Sequence, residues 1–399
     1  MKVFYLFAAV SLWLGVLSLL SGRRFSRYVR QQLDLPLSNY TPRVSVIAPC
    51  RGIDQGFEQN INALLQQNYP HYDILFVVDS AADPALKHLE KLQALRHGQL
   101  SVLVAGPAKT SGQKVHNLII ATQQLSHSTD VIVFVDSDAR PSVDWLRTLV
   151  SPLEDPQLGA TTGYRWFVPV RGGFISHVRA VWNASIASAL GANSARNFCW
   201  GGSTAMRRET FQELGITQQW SGSVSDDFTI TRVLQQAQRP IHFVPACLIP
   251  SFEDCTFREL LTFSNRQVQI TRVYAAHLWK QLLLGSAIFN VSFVGGIVLA
   301  LLAFVDIQSR YLAAFAVLLM FILGTAKSVV RFRAVTAALE HQSFGQSGSL
   351  LAHALLWPVT SLLQFMNCVV AGLSRRIVWR GITYELKSPT EAVIISRES

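Results

Sequence analysis

Val3 to Leu20 reads VFYLFAAVSLWLGVLSLL, an apolar run without a single charge. Its length suits one bilayer crossing, which takes about 20 residues. Arg23, Arg24, Arg27 and Arg30 follow directly. A cleaved signal carries its charge before the apolar run and small residues after it. Here the order is reversed, so residues 1–22 read as an uncleaved anchor with its arginine-rich side in the cytosol. Apolar runs return at Leu282–Val305, at Tyr311–Ala326, where Lys327 and Arg331 can snorkel, and at Ser349–Leu373. They predict a bundle of about three helices over 282–374 and a tail over 375–399. Half of the residues are hydrophobic and only 15% are charged, too few to cover a soluble surface. The expectation is an integral, multi-pass membrane protein. Its net charge of +10 then reads as a basic face toward anionic headgroups, and no nucleic-acid partner is expected.

One tension stands in this topology. A cytosolic domain followed by three crossings places the tail outside, yet the tail opens with the basic stretch SRRIVWRG. Either the last segment is re-entrant or kinked at Pro358, or one of the three is not a crossing.

Between the apolar ends, residues 40–265 look soluble. Strand-like VSVIAP, YDILFVVD, LSVLVAG and VIVFVD alternate with helix-like FEQNINALLQQ, PALKHLEKLQAL and NLIIATQQL. That rhythm predicts an α/β fold with a doubly wound, mainly parallel sheet. Ligands bind such sheets beyond the carboxyl ends of the strands. Asp79 and Asp136 each close one of these strands.

Asp136 and Asp138 stand one residue apart in VDSDARP. Two carboxylates on a strand-end loop can share one cavity. There they can hold Mg²⁺ or Mn²⁺, whose shell a substrate diphosphate completes. The alternative is a cap, because Ser137, Asp138 and Ser142 precede the helix predicted at VDWLRTLV. Asp79 can accept hydrogen bonds from a uracil or ribose, and Asp83 suits the cap of the helix after Pro84. In SVSDDFTI, repulsion between Asp226 and Asp227 can raise one of them into the range of a general base. The same residues also make a good helix N-terminus, and both roles are compatible. Arg266, Gln267, Gln269 and Arg272 in RQVQITR can clamp a diphosphate or bond an acceptor. With Tyr274 and Trp279 nearby, 266–281 equally suits an interfacial segment. Lys114 in SGQKVHNL can reach a phosphate. Gly201 and Gly202 in CWGGSTAMRRE allow close backbone approach to a ligand. The five cysteines lack metal or disulfide spacing and read as free buried thiols. His177, His242 and His353 read as structural.

In this order, these motifs resemble the lipid-type family 2 glycosyltransferases, closest to the ceramide glucosyltransferases of family 21 and their bacterial hopanoid-associated relatives. That family carries a D, D, D, (Q/R)xxRW signature on a GT-A fold, between an N-terminal membrane helix and a C-terminal membrane bundle. Asp79, Asp136 and Asp227 match the three aspartates. Asp83 and Pro84 match an acidic DDPA stretch. PCRGID, GQKVHNL and CWGGSTAMRRE are similar to family segments, the last to an acceptor-side loop. RQVQI keeps Arg266 and Gln267 but puts Gln269 and Ile270 where the family has Arg and Trp, a Trp that shapes the acceptor pocket. The resemblance covers about residues 1 to 280.

It implies inverting transfer of a hexose, glucose from UDP-glucose, to a lipid hydroxyl such as that of ceramide, with the catalytic domain in the cytosol. Asp79 and Lys114 would hold the nucleotide, and Asp138 with Asp136 the metal. Asp227 would act as base, with Asp226 as its rival. Arg266, Gln269 or Arg272 would support the diphosphate and acceptor. A polysaccharide synthase and a polyprenyl-phosphate glycosyltransferase are rival enzymes. The altered motif also suggests a lipid-binding membrane subunit that has lost its chemistry, but the retained acids argue against it.

Overall fold

The computed structural model describes residues 2–95, 98–302, 305–341 and 348–397. Seven strands form one sheet: β1 (Val44–Cys50), β2 (Tyr72–Val78), β3 (Leu100–Val104), β4 (Val131–Phe134), β5 (Ala160–Val168), β6 (Thr204–Arg207) and β7 (Ile241–Phe252). Their order is β3-β2-β1-β4-β6-β5-β7. β1 to β4 pair in parallel, as do β5 and β7, while β6 runs antiparallel to both its neighbours. The predicted mainly parallel α/β sheet is therefore present. The inner strands are buried on both faces, which is why they appear in the sequence as continuous apolar runs. Helices Phe57–Leu65, Pro84–Leu95, Gln113–Thr122 and Asp226–Gln236 fall where the pattern expects them.

A break in register between Thr162 and Tyr164 interrupts the β5–β7 pairing. A Cβ on Gly163 would lie 2.0 Å from the Cys247 carbonyl oxygen, so only glycine fits. Such a bulge re-aims the residues beside it, here Arg165.

Among the described residues, three helices are long and apolar enough to cross a membrane: Lys2–Leu33, Ala276–Leu301 and Ile307–His341. The expected anchor at residues 1–22 is only the first part of its helix. Beyond it, Phe25, Tyr28 and Val29 are buried with Phe243, Phe332 and Val335, and the Tyr28 hydroxyl donates to the Phe243 carbonyl at 2.6 Å. The helix is thus packed into the body of the protein beyond the anchor. In the Leu282–Val305 run, residues 303–304 lie outside the described residues. The third apolar run differs from expectation. It divides at Leu356 into Leu350–Leu355 and Trp357–Leu373, and the latter has 17 residues. The boundary drawn at Arg266 falls inside helix Phe257–Tyr274, which a capping box between Thr256 and Glu259 starts. The 266–281 segment spans two helices that meet at Ala275.

The tail is also folded. β8 (Arg376–Trp379), β9 (Ile382–Ser388) and β10 (Glu391–Arg397) make an antiparallel sheet. Ile377, Ile382, Tyr384 and Leu386 pack there with Val224 and Ile270 of the catalytic body. The Gln113 backbone N–H donates to the Tyr384 hydroxyl at 3.1 Å. Two helices long and apolar enough to cross a membrane follow the α/β domain, and the tail after them docks on that domain. The last apolar helix, with 17 residues, is shorter than the helices long and apolar enough to cross.

Candidate active site

Beyond the carboxyl ends of β1 and β4 lies a cavity of about 1260 Å³. The loop after β4 supplies Asp136 and Asp138. The next helix, Trp145–Val150, has no side-chain cap, so neither carboxylate is used as one. Lys114 Nζ lies 2.7 Å from Asp136 Oδ1 and 3.1 Å from Asp226 Oδ2. Arg165 Nη2 lies 2.7 Å from Asp138 Oδ1 and 3.4 Å from Asp136 Oδ2. Gly112, the N-cap of helix Gln113–Thr122, fixes the first turn that carries Lys114. Its N–H donates to the Ser223 carbonyl at 2.8 Å, and a Cβ there would lie 2.9 Å from Val224 Cα. The lysine and the acid pair are therefore locked to each other.

Asp226 and Asp227 open helix Asp226–Gln236, with Ser225 as N-cap. Capping and cavity roles coexist. Asp226 is 2% exposed and turned to Lys114. Asp227 is half-buried, lines the cavity, and accepts from the Phe228 N–H at 2.8 Å and from the Ser225 hydroxyl. Burial pushes Asp226 up to about 6, with Asp227 and Asp136 adding to the shift and Lys114 opposing it. Burial works against the charge on Lys114, but Asp136, Asp226 and Asp227 outweigh it and hold the lysine above its ordinary range. Burial would likewise raise Asp136, but Lys114 and Arg165 hold it below the usual carboxylate range.

This wall carries four carboxylates, Asp136, Asp138, Asp226 and Asp227, against the cations Lys114 and Arg165. The Asp136 and Asp138 side chains are 24% and 25% exposed, both facing the cavity. Excess negative charge and two accessible carboxylates fit a hard divalent cation whose shell substrate phosphates complete. Among the described residues, no cluster of three His, Cys, Asp or Glu forms a self-sufficient metal site.

A second wall is basic. Arg266 and Gln267 face the cavity from helix Phe257–Tyr274, and Trp379 and Arg380 from the turn between β8 and β9. Arg266 Cζ sits 5.0 Å from the centre of the Trp379 ring. Burial, with Arg380 and Arg165 nearby, pulls Arg266 down to about 10. Between these walls, Trp182, Phe198, Phe228 and Phe263 make an apolar lining. It runs on to Leu278 and Leu282 at the start of helix Ala276–Leu301.

Several expected site residues serve elsewhere. Asp79 pairs with Arg51 at 2.9 Å, and it is Arg51 that lines the cavity. Burial raises Asp79 against the pull of that arginine. Asp83 accepts from the Ala85 N–H at 2.8 Å and the Gly52 N–H at 3.0 Å, capping its helix and bracing the PCRGID loop. Gly202 accommodates the Trp200 ring, 2.2 Å from where a Cβ would stand, whereas Gly201 makes room for Asp226 Oδ2 and Lys114 Nζ. Gln269 donates to the carbonyls of Ser374 and Arg376. Arg272 donates to the Ala371 carbonyl and lies over Trp279. The last two residues hold the C-terminal segment and do not face the cavity. Arg165, Trp379 and Arg380 were not foreseen. For Arg165 the available signal was Gly163 inside a strand, which marks a bulge.

A mainly parallel α/β sheet with paired strand-end carboxylates and an adjoining basic wall suits an enzyme that handles a metal–diphosphate substrate. The chain matches Glycosyl transferase family 21 over residues 3–392. It belongs to that family and is a glycosyltransferase that moves a sugar from a nucleotide sugar. Among solved structures it is similar to a mannosyltransferase, PcManGT from Pyrobaculum calidifontis, in complex with GDP-Man and Mn²⁺. That match has 18% identity, covers 92% of this chain and 98% of the other, and has a TM-score of 0.48. It is also similar to GalNAc-T7 with UDP, GalNAc and Mn²⁺, at 15% identity, covering 69% and 55%, with a TM-score of 0.40. A third is glucosyl-3-phosphoglycerate synthase from Mycobacterium tuberculosis with phosphoglyceric acid, at 16% identity, covering 60% and 87%, with a TM-score of 0.39.

Proposed function

We propose that the protein transfers a hexose, glucose from UDP-glucose, with inversion to the hydroxyl of a membrane lipid such as ceramide or a related lipid. One observation carries this reading. A single cavity runs from the Asp136–Asp138 pair along an aromatic lining to Leu278 and Leu282, where a membrane-crossing helix begins. A lipid entering sideways from the bilayer would keep its tail against the apolar lining and bring its headgroup to the acids. The catalytic domain would face the cytosol, on the side of Arg23, Arg24, Arg27 and Arg30.

Each role follows from position. Asp138 with Asp136 would hold Mg²⁺ or Mn²⁺, which when bound neutralises charge on the leaving diphosphate. Lys114 and Arg266 supply further positive charge to that diphosphate. Arg51, braced by Asp79, would meet the nucleotide's base and ribose from the cavity wall. Asp227 takes the proton of the acceptor hydroxyl as its oxygen attacks the anomeric carbon and the bond from that carbon to the diphosphate breaks. The raised value of Asp226 would suit a base, but access favours Asp227. Asp226 is 2% exposed and engaged with Lys114, so it positions the lysine.

The test is label transfer. Purified protein in detergent with Mg²⁺ or Mn²⁺ receives radiolabelled UDP-glucose and a mixed lipid extract. Label should enter the organic phase and be lost in Asp227→Asn. Equal label in both would remove Asp227 as base. Transfer from GDP-mannose or UDP-N-acetylglucosamine in place of UDP-glucose would correct the donor. Label confined to the aqueous phase would exclude the lipid acceptor.

A further inference from the structure

The turn between β8 and β9 is made by Arg380 and Gly381, at φ 51° and 71°. A two-residue hairpin turn with both positions left-handed favours Asn-Gly or Asp-Gly. Arginine gains nothing from this backbone, and a side chain held in a disfavoured conformation points to a use for it. The guanidinium of Arg380 reaches out of the tail into the catalytic domain, with Nη1 2.5 Å from Asp54 Oδ1 and 3.4 Å from the Arg51 carbonyl oxygen. Both partners lie on the loop after β1, at a strand end of the cavity. The side chain is 40% exposed and lines the cavity.

The rest of the tail holds this turn in place. Arg397 donates to Gln113 Oε1 at 3.0 Å and to the Ala108 carbonyl at 2.7 Å. With Tyr384, it ties the sheet to the turn of helix that carries Lys114. Gln269 fixes the other end through Ser374 and Arg376. Next to Arg380, Trp379 lies beneath Arg266, whose Nε has no hydrogen-bond partner in the buried site. Among the described residues, no carboxylate pairs with Arg266. Two arginines thus meet at the cavity with Asp54 as their only ion-paired acid.

Resting on the nucleotide-sugar reading above, we infer that the C-terminal hairpin is a working wall of the active site and that Arg380 binds the diphosphate of the donor. The guanidinium offers forked donors to phosphate oxygens. The diphosphate then lies between the basic wall and Asp136–Asp138. Trp379 is the platform that aligns Arg266 beside it. Arg380 touches substrate, so it is a binding residue, and Tyr384, Arg397 and Gln269 position it.

Arg380→Asn tests this without threatening the fold, because asparagine tolerates the left-handed turn better than arginine. UDP, GDP and uridine would be titrated by calorimetry into the full-length wild type and variant in detergent with Mg²⁺. The expected result is a melting temperature equal to or above wild type. Affinity for the nucleoside diphosphate should fall about tenfold, uridine affinity should stay unchanged, and Arg380→Lys should recover part of the loss. UDP or GDP affinity unchanged in Arg380→Asn, while the wild type binds it, would overturn the inference alone. A wild type that binds neither diphosphate would overturn the nucleotide-sugar reading and this inference with it.

Discussion

The two walls of the cavity are built from the same kinds of ionisable groups but balanced oppositely. On the acid wall, Asp136, Asp138, Asp226 and Asp227 face Lys114 and Arg165, leaving excess negative charge. On the basic wall, Arg380 pairs with Asp54 while Arg266 pairs with no carboxylate among the described residues, leaving excess positive charge. Each excess is unfavourable in a partly buried site until a ligand answers it. On the proposed function, a divalent cation would answer the first and a diphosphate the second. The contrast shows how one cavity can bind a metal–diphosphate pair while remaining near neutral once filled.

The largest test of this contrast is on the acid wall. Asp227→Asn should lower turnover about a thousandfold, the range for loss of a general base, while donor KM stays close to wild type. An equal loss in KM and turnover would make Asp227 a binding residue and blur the division of labour between the walls.

The next effect is a pH dependence. Burial raises Asp226 to about 6, so it is charged above that pH and neutral below it. Once neutral, it releases its hold on Lys114. Activity should fall as pH drops through about 6, at up to tenfold per unit. The profile of Asp226→Asn, itself less active, should lack that limb. A limb that survives in Asp226→Asn belongs to another group.

Gly201→Ala should be worse for activity than for folding. The new methyl would stand 2.1 Å from Asp226 Oδ2 and 2.7 Å from Lys114 Nζ. Displacing them should cost about tenfold in turnover, with about 1–3 kcal/mol of stability lost to overpacking. Gly202→Ala meets the Trp200 ring instead and should reverse that balance, losing more stability than turnover.

The smallest effect concerns the support of the basic wall. Gln269→Ala removes two hydrogen bonds to tail carbonyls, worth about 1–2 kcal/mol together. The tail should become more open to limited proteolysis, with a modest rise in donor KM. An unchanged cleavage pattern would free the tail from Gln269.

The acid wall is largely legible in the sequence, whereas of the basic wall only Arg266 and Gln267 are, and Trp379 and Arg380 are not. VIVFVDSD announces itself because a strand buried on both faces is continuously apolar and stops abruptly at its carboxylates. Arg165 gives no such sign, because an arginine in a strand ordinarily marks a solvent face and only the bulge at Gly163 turns it inward. The tail strands, ITYELKS and EAVIISR, are short and carry charge on one face, as edge-rich antiparallel sheets do. Their docking partner, Gln113, lies far away along the chain, beyond any local pattern. Arg380–Gly381 occupies the place of a hairpin turn, but its arginine hides the Asn-Gly signature. Asp83 caps its helix as its place before Pro84 suggests, whereas the strand-end Asp79 pairs with Arg51 and the motif residues Gln269 and Arg272 bond carbonyls of the C-terminal segment.

The most direct test of the two-wall arrangement measures UDP affinity with and without Mn²⁺ in wild type and Asp138→Asn. Mn²⁺ should tighten UDP binding at least tenfold in the wild type and leave Asp138→Asn near its metal-free value. Equal tightening in both proteins would mean that the cation does not sit at Asp136–Asp138, and the division of the cavity into a metal wall and a phosphate wall would be wrong.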